Sequence, residues 1–169
     1  PTHHGSFDLS YLRYIPKIVI MAPKDEAELR NMVYTATEYE GGPTVIRYPR
    51  GSALGVEVAE GFEKIEIGKA EKLHDGENIA ILSVGSMVEY SKTVISEFEK
   101  EGIQVGLYNM RFIKPLDQNL LDEVASKYQK IITIEENSIV GGFGTGILEY
   151  FCDMNYKNDI LRLGLPDEF

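Results

Sequence analysis

The sequence predicts an α/β protein built on mostly parallel sheets, and three observations support this fold class. Short apolar segments alternate along the chain with segments whose apolar residues recur at helical spacing. The apolar segments are nearly continuous, which is typical of parallel strands covered on both faces. Capping residues and glycines mark the ends of the helical segments. Together these patterns predict βαβ units, in which crossover helices connect parallel strands.

The first predicted unit is a βαβ segment near the start of the chain. Residues 18–22 (IVIMA) and 44–51 (TVIRYPRG) are its predicted strands. Asp25 and Glu28 have the spacing of a capping box, which predicts a helix start between the strands. The predicted buried face of this helix consists of Leu29, Met32, Val33 and Ala36. Two strands are too few for a stable sheet, so the unit needs further strands.

The second predicted unit is more regular and follows a linker at 51–77, with short strands near 65–73. Its predicted strands are residues 78–85, 103–110, 130–137 and 159–165. Its first two predicted helices start at Ser86 and at Pro115, and the third covers about 144–155. Their predicted buried residues are, in order, Met87, Tyr90, Val94 and Phe98; Leu116, Leu120, Leu121 and Val124; and Ile147, Leu148 and Phe151. This order of elements predicts a doubly wound sheet.

Composition narrows the classes of partner. The 169 residues carry a formal net charge of −10, which disfavours a nucleic-acid partner because a polyanion needs a basic surface. No apolar run approaches the length that spans a bilayer, so we expect no membrane contact. The single cysteine, Cys152, rules out a disulfide within these residues and fits the cytosol. Its place in a predicted helix favours a small core residue over a catalytic thiol.

Two motifs at the end of the third long strand have both a functional and a structural interpretation. The glycines of GGFGTG (141–146) could present backbone N–H groups to an anion, but their spacing is not that of a dinucleotide site. A tight strand-to-helix turn is therefore favoured. The acidic pair of Glu135 and Glu136, followed by Asn137, could serve a metal or acid–base chemistry. No His or third acid completes a ligand set, so contact with water, a helix N-terminus or a neighbouring domain is favoured.

Arginine and histidine supply the remaining candidates. Arg47 and Arg50 follow an apolar strand, with Pro49 between them, and suit the capture of a phosphate or carboxylate; a surface ion pair is the alternative. Adjacent histidines point in different directions, so only one of His3 and His4 is expected to face a site. His74 is interpreted as a turn residue. No zinc, serine-hydrolase or Walker motif is present.

Six segments carry a family resemblance and cover almost the whole chain: PTHHGSFDLSYLR (1–13), VIMAPKDEAELRNM (19–32), GPTVIRYPRG (42–51), MRFIKPLD (110–117), TIEEN with GGFGTG (133–146) and LGLPDEF (163–169). Together they resemble the transketolase-like family of thiamine diphosphate enzymes. The first segment is the most discriminating. It resembles the synthases of this family that condense pyruvate with D-glyceraldehyde 3-phosphate.

The resemblance implies a domain organisation. Residues 1–55 would form the end of the pyrimidine-binding domain, and 56–169 a linker and the transketolase C-terminal domain without its last segment. Thiamine diphosphate and Mg²⁺ would be held mainly by upstream domains, because the Gly-Asp-Gly motif that binds them is absent. No cofactor-binding or metal-binding residue is therefore assigned within this chain. The upstream portion of the same enzyme and a second subunit, in a homodimer, would be its partners.

The resemblance also implies roles for two residues. His3 would be catalytic, facing the cofactor and substrates, and Arg50 would bind the phosphate of the aldehyde. The product would feed isoprenoid and thiamine synthesis. The expected location is a bacterial cytoplasm, and a plastid is the alternative location. Three alternatives stay open: a non-catalytic α/β interaction or dimerisation module, a portion of another transketolase-like enzyme, and a flavodoxin-like nucleotide binder.

Overall fold

The computed structural model describes residues 5–166 and confirms an α/β architecture with mostly parallel strands. Its helices and strands, in chain order, are α1 (Asp8–Leu12), β1 (Val19–Met21), α2 (Glu26–Thr37), β2 (Thr44–Ile46), β3 (Glu71–His74), β4 (Ile79–Ser83), α3 (Met87–Lys100), β5 (Val105–Asn109), β6 (Phe112–Lys114), α4 (Gln118–Lys127), β7 (Lys130–Ser138), α5 (Phe143–Asp153) and β8 (Asp159–Leu165). No helix within residues 5–166 is both long enough and apolar enough to cross a membrane.

The smaller sheet has the strand order β2-β1-β6. Strands β1 and β2 are parallel and are connected by α2, so the predicted βαβ unit is confirmed. The third strand, β6, pairs antiparallel with β1 and comes from the second half of the chain. Sequence patterning missed this strand because the strand that it pairs with, β1, lies about ninety residues earlier in the chain. The strand that the first unit lacked is thus supplied by the second unit.

The larger sheet has the order β3-β5-β4-β7-β8, in which only β3 is antiparallel to its neighbour. Helix α3 places Ile95 against Ile81 and Leu107 on one face. Helices α4 and α5 pack on the other face, where Leu121 and Phe151 join the main core. Helices on both faces make the sheet doubly wound, as predicted.

Two predicted helix faces are wrong by one residue. Helix α3 buries Val88, Ser91 and Ile95, whereas the predicted Tyr90 is 68% exposed. Helix α2 buries Glu28, Met32 and Thr35 in place of Leu29 and Val33. The physical reason is the same in both helices: polar residues lie in the buried stripe because each has a dedicated partner. Ser91 Oγ donates to Ser83 Oγ (3.3 Å), and Thr35 Oγ1 accepts from the N–H of Ile65 (2.8 Å).

Four local predictions have different outcomes. The N-cap at Asp25 is confirmed, because its carboxylate accepts from the N–H of Glu28 at 2.7 Å. The predicted helix start at Ser86 is confirmed, because Ser86 is the N-cap residue of α3, but its hydroxyl donates to Glu136 and does not cap the helix. Helix α4 begins at Gln118, capped by Asp117, rather than at Pro115. Cys152 is exposed rather than part of the core.

The two units share one core and several polar contacts. Buried side chains of one cluster run from Leu9 and Ile20 in the first unit to Leu82 and Phe143 in the second. Helix α1 lies against the end of β7: the N–H of Leu9 donates to Asn137 Oδ1 (3.2 Å). Nearby, Arg13 donates to the carbonyls of Gly141 (2.7 Å) and Gly142 (3.0 Å). These bonds fix the start of the described chain against the larger sheet.

A charged cluster forms another polar contact between the units. Glu28 is 4% exposed and accepts from Asn109 Nδ2 (2.9 Å) and Arg111 Nε (2.6 Å). Lys24 Nζ and Arg111 Nη2 also contact Glu71 Oε2, at 2.9 and 3.2 Å. Burial alone would raise the pKa of Glu71, but the hydrogen bond from Lys24 and the charges of Arg111 and Lys24 lower it. Asp25 Oδ2 also lies 3.8 Å from Lys24 Nζ, so three acids and two bases form one network of ion pairs at the junction.

Candidate active site

A cleft of about 520 Å³ lies where the first unit meets the end of β7. Three parts of the chain form its walls: residues 5–12, residues 45–50 and Glu136. The second part is the carboxyl end of β2 and the turn after it. Ligands of open α/β sheets commonly bind outside the carboxyl ends of parallel strands, so this cleft is the primary candidate.

Arg50 is a cation of the cleft that has no partner within the described part of the chain. The turn that carries it is exposed, and Tyr48 beside it is 61% exposed. Within residues 5–166, Arg50 has no hydrogen-bond or ion-pair partner. A free guanidinium offers its full set of donors to an incoming phosphate or carboxylate.

Arg47 differs from Arg50 although the sequence treats them alike. Its Nη1 donates to Glu136 Oε2 at 2.9 Å, and its Nη2 donates to the backbone carbonyl of Glu136 at 2.7 Å. The ion-pair alternative thus describes Arg47, while Arg50 keeps the binding interpretation. The sequence carries no signal for this difference, because the partner is 89 residues away.

Glu135 and Glu136 also have separate roles. Glu135 is buried and accepts from the N–H groups of Phe143 (2.7 Å) and Gly144 (2.8 Å) at the start of α5. Burial raises the pKa of Glu135, although these two N–H groups and the charges of Arg13 and Arg162 oppose the rise. The N–H groups at the start of α5, which could have bound an external anion, instead bind the side-chain carboxyl group of Glu135. The structural interpretation of GGFGTG is therefore favoured.

The family models decide the identity. The model described as "Transketolase, pyrimidine binding domain" matches residues 1–55, and that described as "Transketolase, C-terminal domain" matches residues 68–169. The chain belongs to the transketolase family.

Curated relatives within this family share one printed name, 1-deoxy-D-xylulose-5-phosphate synthase. The chain is 50% identical over 169 residues to that of Aquifex aeolicus (strain VF5), which covers 100% of the chain and 27% of the relative. It is 46% identical to that of Chlorobium phaeovibrioides, again over 100% of the chain and 27% of the relative. The chain thus spans about a quarter of the length of the curated relatives it matches.

Solved structures support the transketolase fold. A structure described as "Split gene transketolase, inactive beta4 tetramer" has a TM-score of 0.81 and 28% identity, covering 95% of this chain and 52% of that one. The H261F transketolase mutant from Pichia stipitis has a TM-score of 0.61 and 18% identity, covering 92% of this chain and 22% of that one. The second likeness is one of fold alone.

The start of α5 in this transketolase-family chain does not fit the diphosphate of thiamine diphosphate. Within residues 5–166, no group of three or more His, Cys, Asp or Glu residues could hold a metal ion. The glycine-rich start of α5, where N–H groups could hold a diphosphate, already binds Glu135. No step of the chemistry is therefore derived through the cofactor from these residues.

His3 lies outside the described residues, but Gly5, two residues later in the sequence, lines the cleft.

A larger cleft of about 920 Å³ lies at the amino ends of β4, β7 and β8, where it includes Ile79 and Lys130. Size alone favours it, but its position at the amino ends of the strands is not where such sheets bind ligands.

The close packing of Gly142 against Glu135 gives a testable prediction. A Cβ at Gly142 would lie 2.1 Å from Glu135 Oε2, and the buried carboxyl group has little room to move. We expect Gly142→Ala to lower the free energy of unfolding by about 2 kcal/mol, a typical cost of overpacking. Gly51→Ala is the control, because nothing lies within 4 Å of a Cβ at Gly51. Equal urea midpoints for the two variants would contradict the prediction.

Proposed function

We propose that this chain is part of a 1-deoxy-D-xylulose-5-phosphate synthase, which condenses pyruvate with D-glyceraldehyde 3-phosphate and releases CO₂. Relatives with this printed name are 43–50% identical to the chain over nearly all of its length. The proposal extends from this similarity to the activity of the full-length polypeptide. Its product would supply isoprenoid and thiamine synthesis.

The structural observation that supports the proposal is the guanidinium of Arg50, which has no partner among the described residues. D-glyceraldehyde 3-phosphate presents a phosphate, and a free arginine in a cleft suits its bidentate capture. Anchoring the phosphate would orient the aldehyde and replace a random encounter by an ordered approach. In this proposal Arg50 binds the substrate phosphate, and Arg47 does not contact it.

His3 is proposed as the catalytic residue that donates a hydrogen bond or proton to an oxygen of the substrates. The proposal rests on the family resemblance of the segment at residues 1–13. It is supported by the position of Gly5 in the wall of the same cleft as Arg50. Imidazole suits the role because it exchanges a proton near neutral pH. His4 is given no role.

Cofactors and partners follow from the family. Thiamine diphosphate and Mg²⁺ are proposed to be held by the upstream portion of the same enzyme, since residues 5–166 contain no group of acids, histidines or cysteines that could hold a metal ion and the start of α5 already binds Glu135. A homodimer in the bacterial cytoplasm is proposed as the working form, and the relatives compared above are bacterial proteins. We propose neither a nucleic-acid partner nor a membrane.

The test is an assay of the full-length polypeptide that contains these residues. With thiamine diphosphate, Mg²⁺, pyruvate and D-glyceraldehyde 3-phosphate, we expect CO₂ release together with a phosphorylated five-carbon ketose. Omitting the aldehyde should reduce ketose formation to background. Transfer of a two-carbon unit between sugar phosphates, without CO₂ release, would instead identify another transketolase-like enzyme and overturn the proposal.

A second candidate concerns these residues as an isolated chain, which would be a non-catalytic interaction module. The observation in its favour is that the described residues contain no group of acids, histidines or cysteines that could hold a metal ion, and that the start of α5 already binds Glu135. A related solved chain is itself described as an inactive tetramer. Turnover of pyruvate by residues 1–169 without any upstream polypeptide would overturn this candidate.

A further inference from the structure

We propose that Glu136 positions the Arg50 turn by holding Arg47, so that the C-terminal domain takes part in building the phosphate site. The inference rests on the proposed function, because it concerns the same cleft. Glu136 belongs to β7 of the larger sheet, whereas Arg47 and Arg50 follow β2 of the smaller one. All three residues line the cleft.

Arg47 is held at both its main chain and its side chain. Its N–H donates to the carbonyl of Met21 on β1 at 2.8 Å. Its guanidinium makes the two bonds to Glu136, and its side chain is only 14% exposed. The Glu136 carboxylate is itself fixed, because Ser86 Oγ donates to the same Oε2 at 2.8 Å. Two strands of different sheets therefore define where the turn begins.

Beyond Arg47, the turn has little support of its own. Within the described range, no hydrogen bond or ion pair holds Tyr48, Pro49 or Arg50 to the rest of the protein. Pro49 restricts the backbone between the two arginines. The location of the Arg50 guanidinium thus depends on how firmly Arg47 is anchored. A binding group that is ordered before the substrate arrives costs less conformational entropy on binding.

Glu136 acts through Arg47 and not on the phosphate. Burial alone would raise the pKa of Glu136, but hydrogen bonds from Arg47 and Ser86 and the charge of Arg47 hold it below its ordinary value. The ionised carboxylate would repel a phosphate directly. It neutralises Arg47, so that Arg50 alone offers an unpaired guanidinium to the substrate.

The test uses Glu136→Gln, Arg47→Ala and the double variant in the full-length enzyme. We expect Glu136→Gln to raise KM for D-glyceraldehyde 3-phosphate about 5-fold, with KM for pyruvate and kcat within about 2-fold of the parent. The double variant should be no worse than Arg47→Ala alone, because Glu136 acts through that residue. Ser86→Ala, which removes one bond to Glu136, should raise the same KM less.

Two further readouts separate positioning from general structural damage. Trypsin should cleave after Arg50 several-fold faster in Glu136→Gln than in the parent, because the turn is less ordered. Glu97→Gln is the matched control, since its carboxylate forms an exposed pair with Lys100 on α3. We expect neither KM nor the rate of cleavage to change in this control.

Several outcomes would overturn the inference. An unchanged KM for the aldehyde in Glu136→Gln would do so, and so would effects of Arg47→Ala and Glu136→Gln that multiply in the double variant. If Arg50→Ala itself leaves KM for the aldehyde unchanged, both the proposed phosphate site and the positioning role of Glu136 are wrong. If Arg50→Ala raises this KM but Glu136→Gln does not, only the positioning role of Glu136 is wrong.

Discussion

Replacing Arg50 by alanine is expected to raise KM for D-glyceraldehyde 3-phosphate about 100-fold and to leave KM for pyruvate within about 2-fold. Each charge-assisted hydrogen bond contributes about 1.5–3 kcal/mol, so losing two costs at least about 3 kcal/mol. That free energy corresponds to roughly two factors of ten in affinity. Steady-state kinetics of the full-length enzyme, with each substrate varied in turn, measures the two constants separately. Arg50→Lys should be intermediate, because an ammonium lacks the planar pair of donors.

Lys130→Ala provides the control for Arg50. Lys130 is exposed and lines the larger cleft at the opposite end of the sheet. We expect no change in either KM for this variant. A rise in the aldehyde KM in Lys130→Ala, with Arg50→Ala unaffected, would place the phosphate at the amino ends of the strands and contradict the account.

Replacing Glu28 by alanine is expected to destabilise the chain by about 3 kcal/mol. The substitution leaves Lys24 and Arg111 partly buried with Glu71 and with Asp25, which reaches only Lys24 at 3.8 Å. It also removes an acceptor from Asn109 inside the protein. Removing one partner from a buried ion pair costs roughly 3–5 kcal/mol, and the partial exposure of the two bases puts the expected loss at the low end. Urea denaturation, followed by circular dichroism, measures the loss.

Two variants sharpen the Glu28 experiment. Glu97→Ala breaks a fully solvated pair on α3, in which both side chains are 68% exposed, and should cost less than about 0.5 kcal/mol. Glu28→Gln keeps acceptor atoms and the shape of the side chain, so its loss should be smaller than that of Glu28→Ala. Equal losses in Glu28→Ala and Glu97→Ala would show that the cluster does not stabilise the junction.

The larger sheet could be predicted from the sequence because the signals for its strands and helix ends lie within short segments. Each of its four parallel strands contains a short run rich in apolar residues, and glycines or capping residues separate the strands from their helices. The missed strand, β6, is three residues long and pairs with β1, about ninety residues earlier. No local pattern in MRFIKPLD records a partner so far away.

Buried polar residues explain the errors in the helix faces. Glu28, Thr35 and Ser91 each lie in a buried stripe because a partner elsewhere in the chain satisfies them. A count of apolar residues takes such positions for solvent-facing ones and moves the stripe by one residue. The spacing of apolar residues predicted the helices and the buried faces of α4 and α5 correctly, but it shifted the buried faces of α2 and α3.

Part of the candidate site could be inferred from residue types alone. Two arginines after a strand predicted an anion site, and the absence of a third ligand near Glu135 predicted a structural role. The different roles of Arg47 and Arg50 could be assigned only from the structure, because it shows that Glu136 pairs with Arg47. The family resemblance assigned the phosphate to Arg50, and the unpaired guanidinium agrees with that assignment.

The most direct measurement of the central claim compares two acceptors that differ only in the phosphate. We would measure kcat/KM for D-glyceraldehyde 3-phosphate and for D-glyceraldehyde, in the parent enzyme and in Arg50→Ala. If Arg50 binds the phosphate, the preference for the phosphorylated aldehyde should fall about 100-fold in the variant, and kcat/KM for D-glyceraldehyde should stay the same. If both aldehydes lose the same factor and the preference is unchanged, Arg50 does not contact the phosphate and the account is wrong.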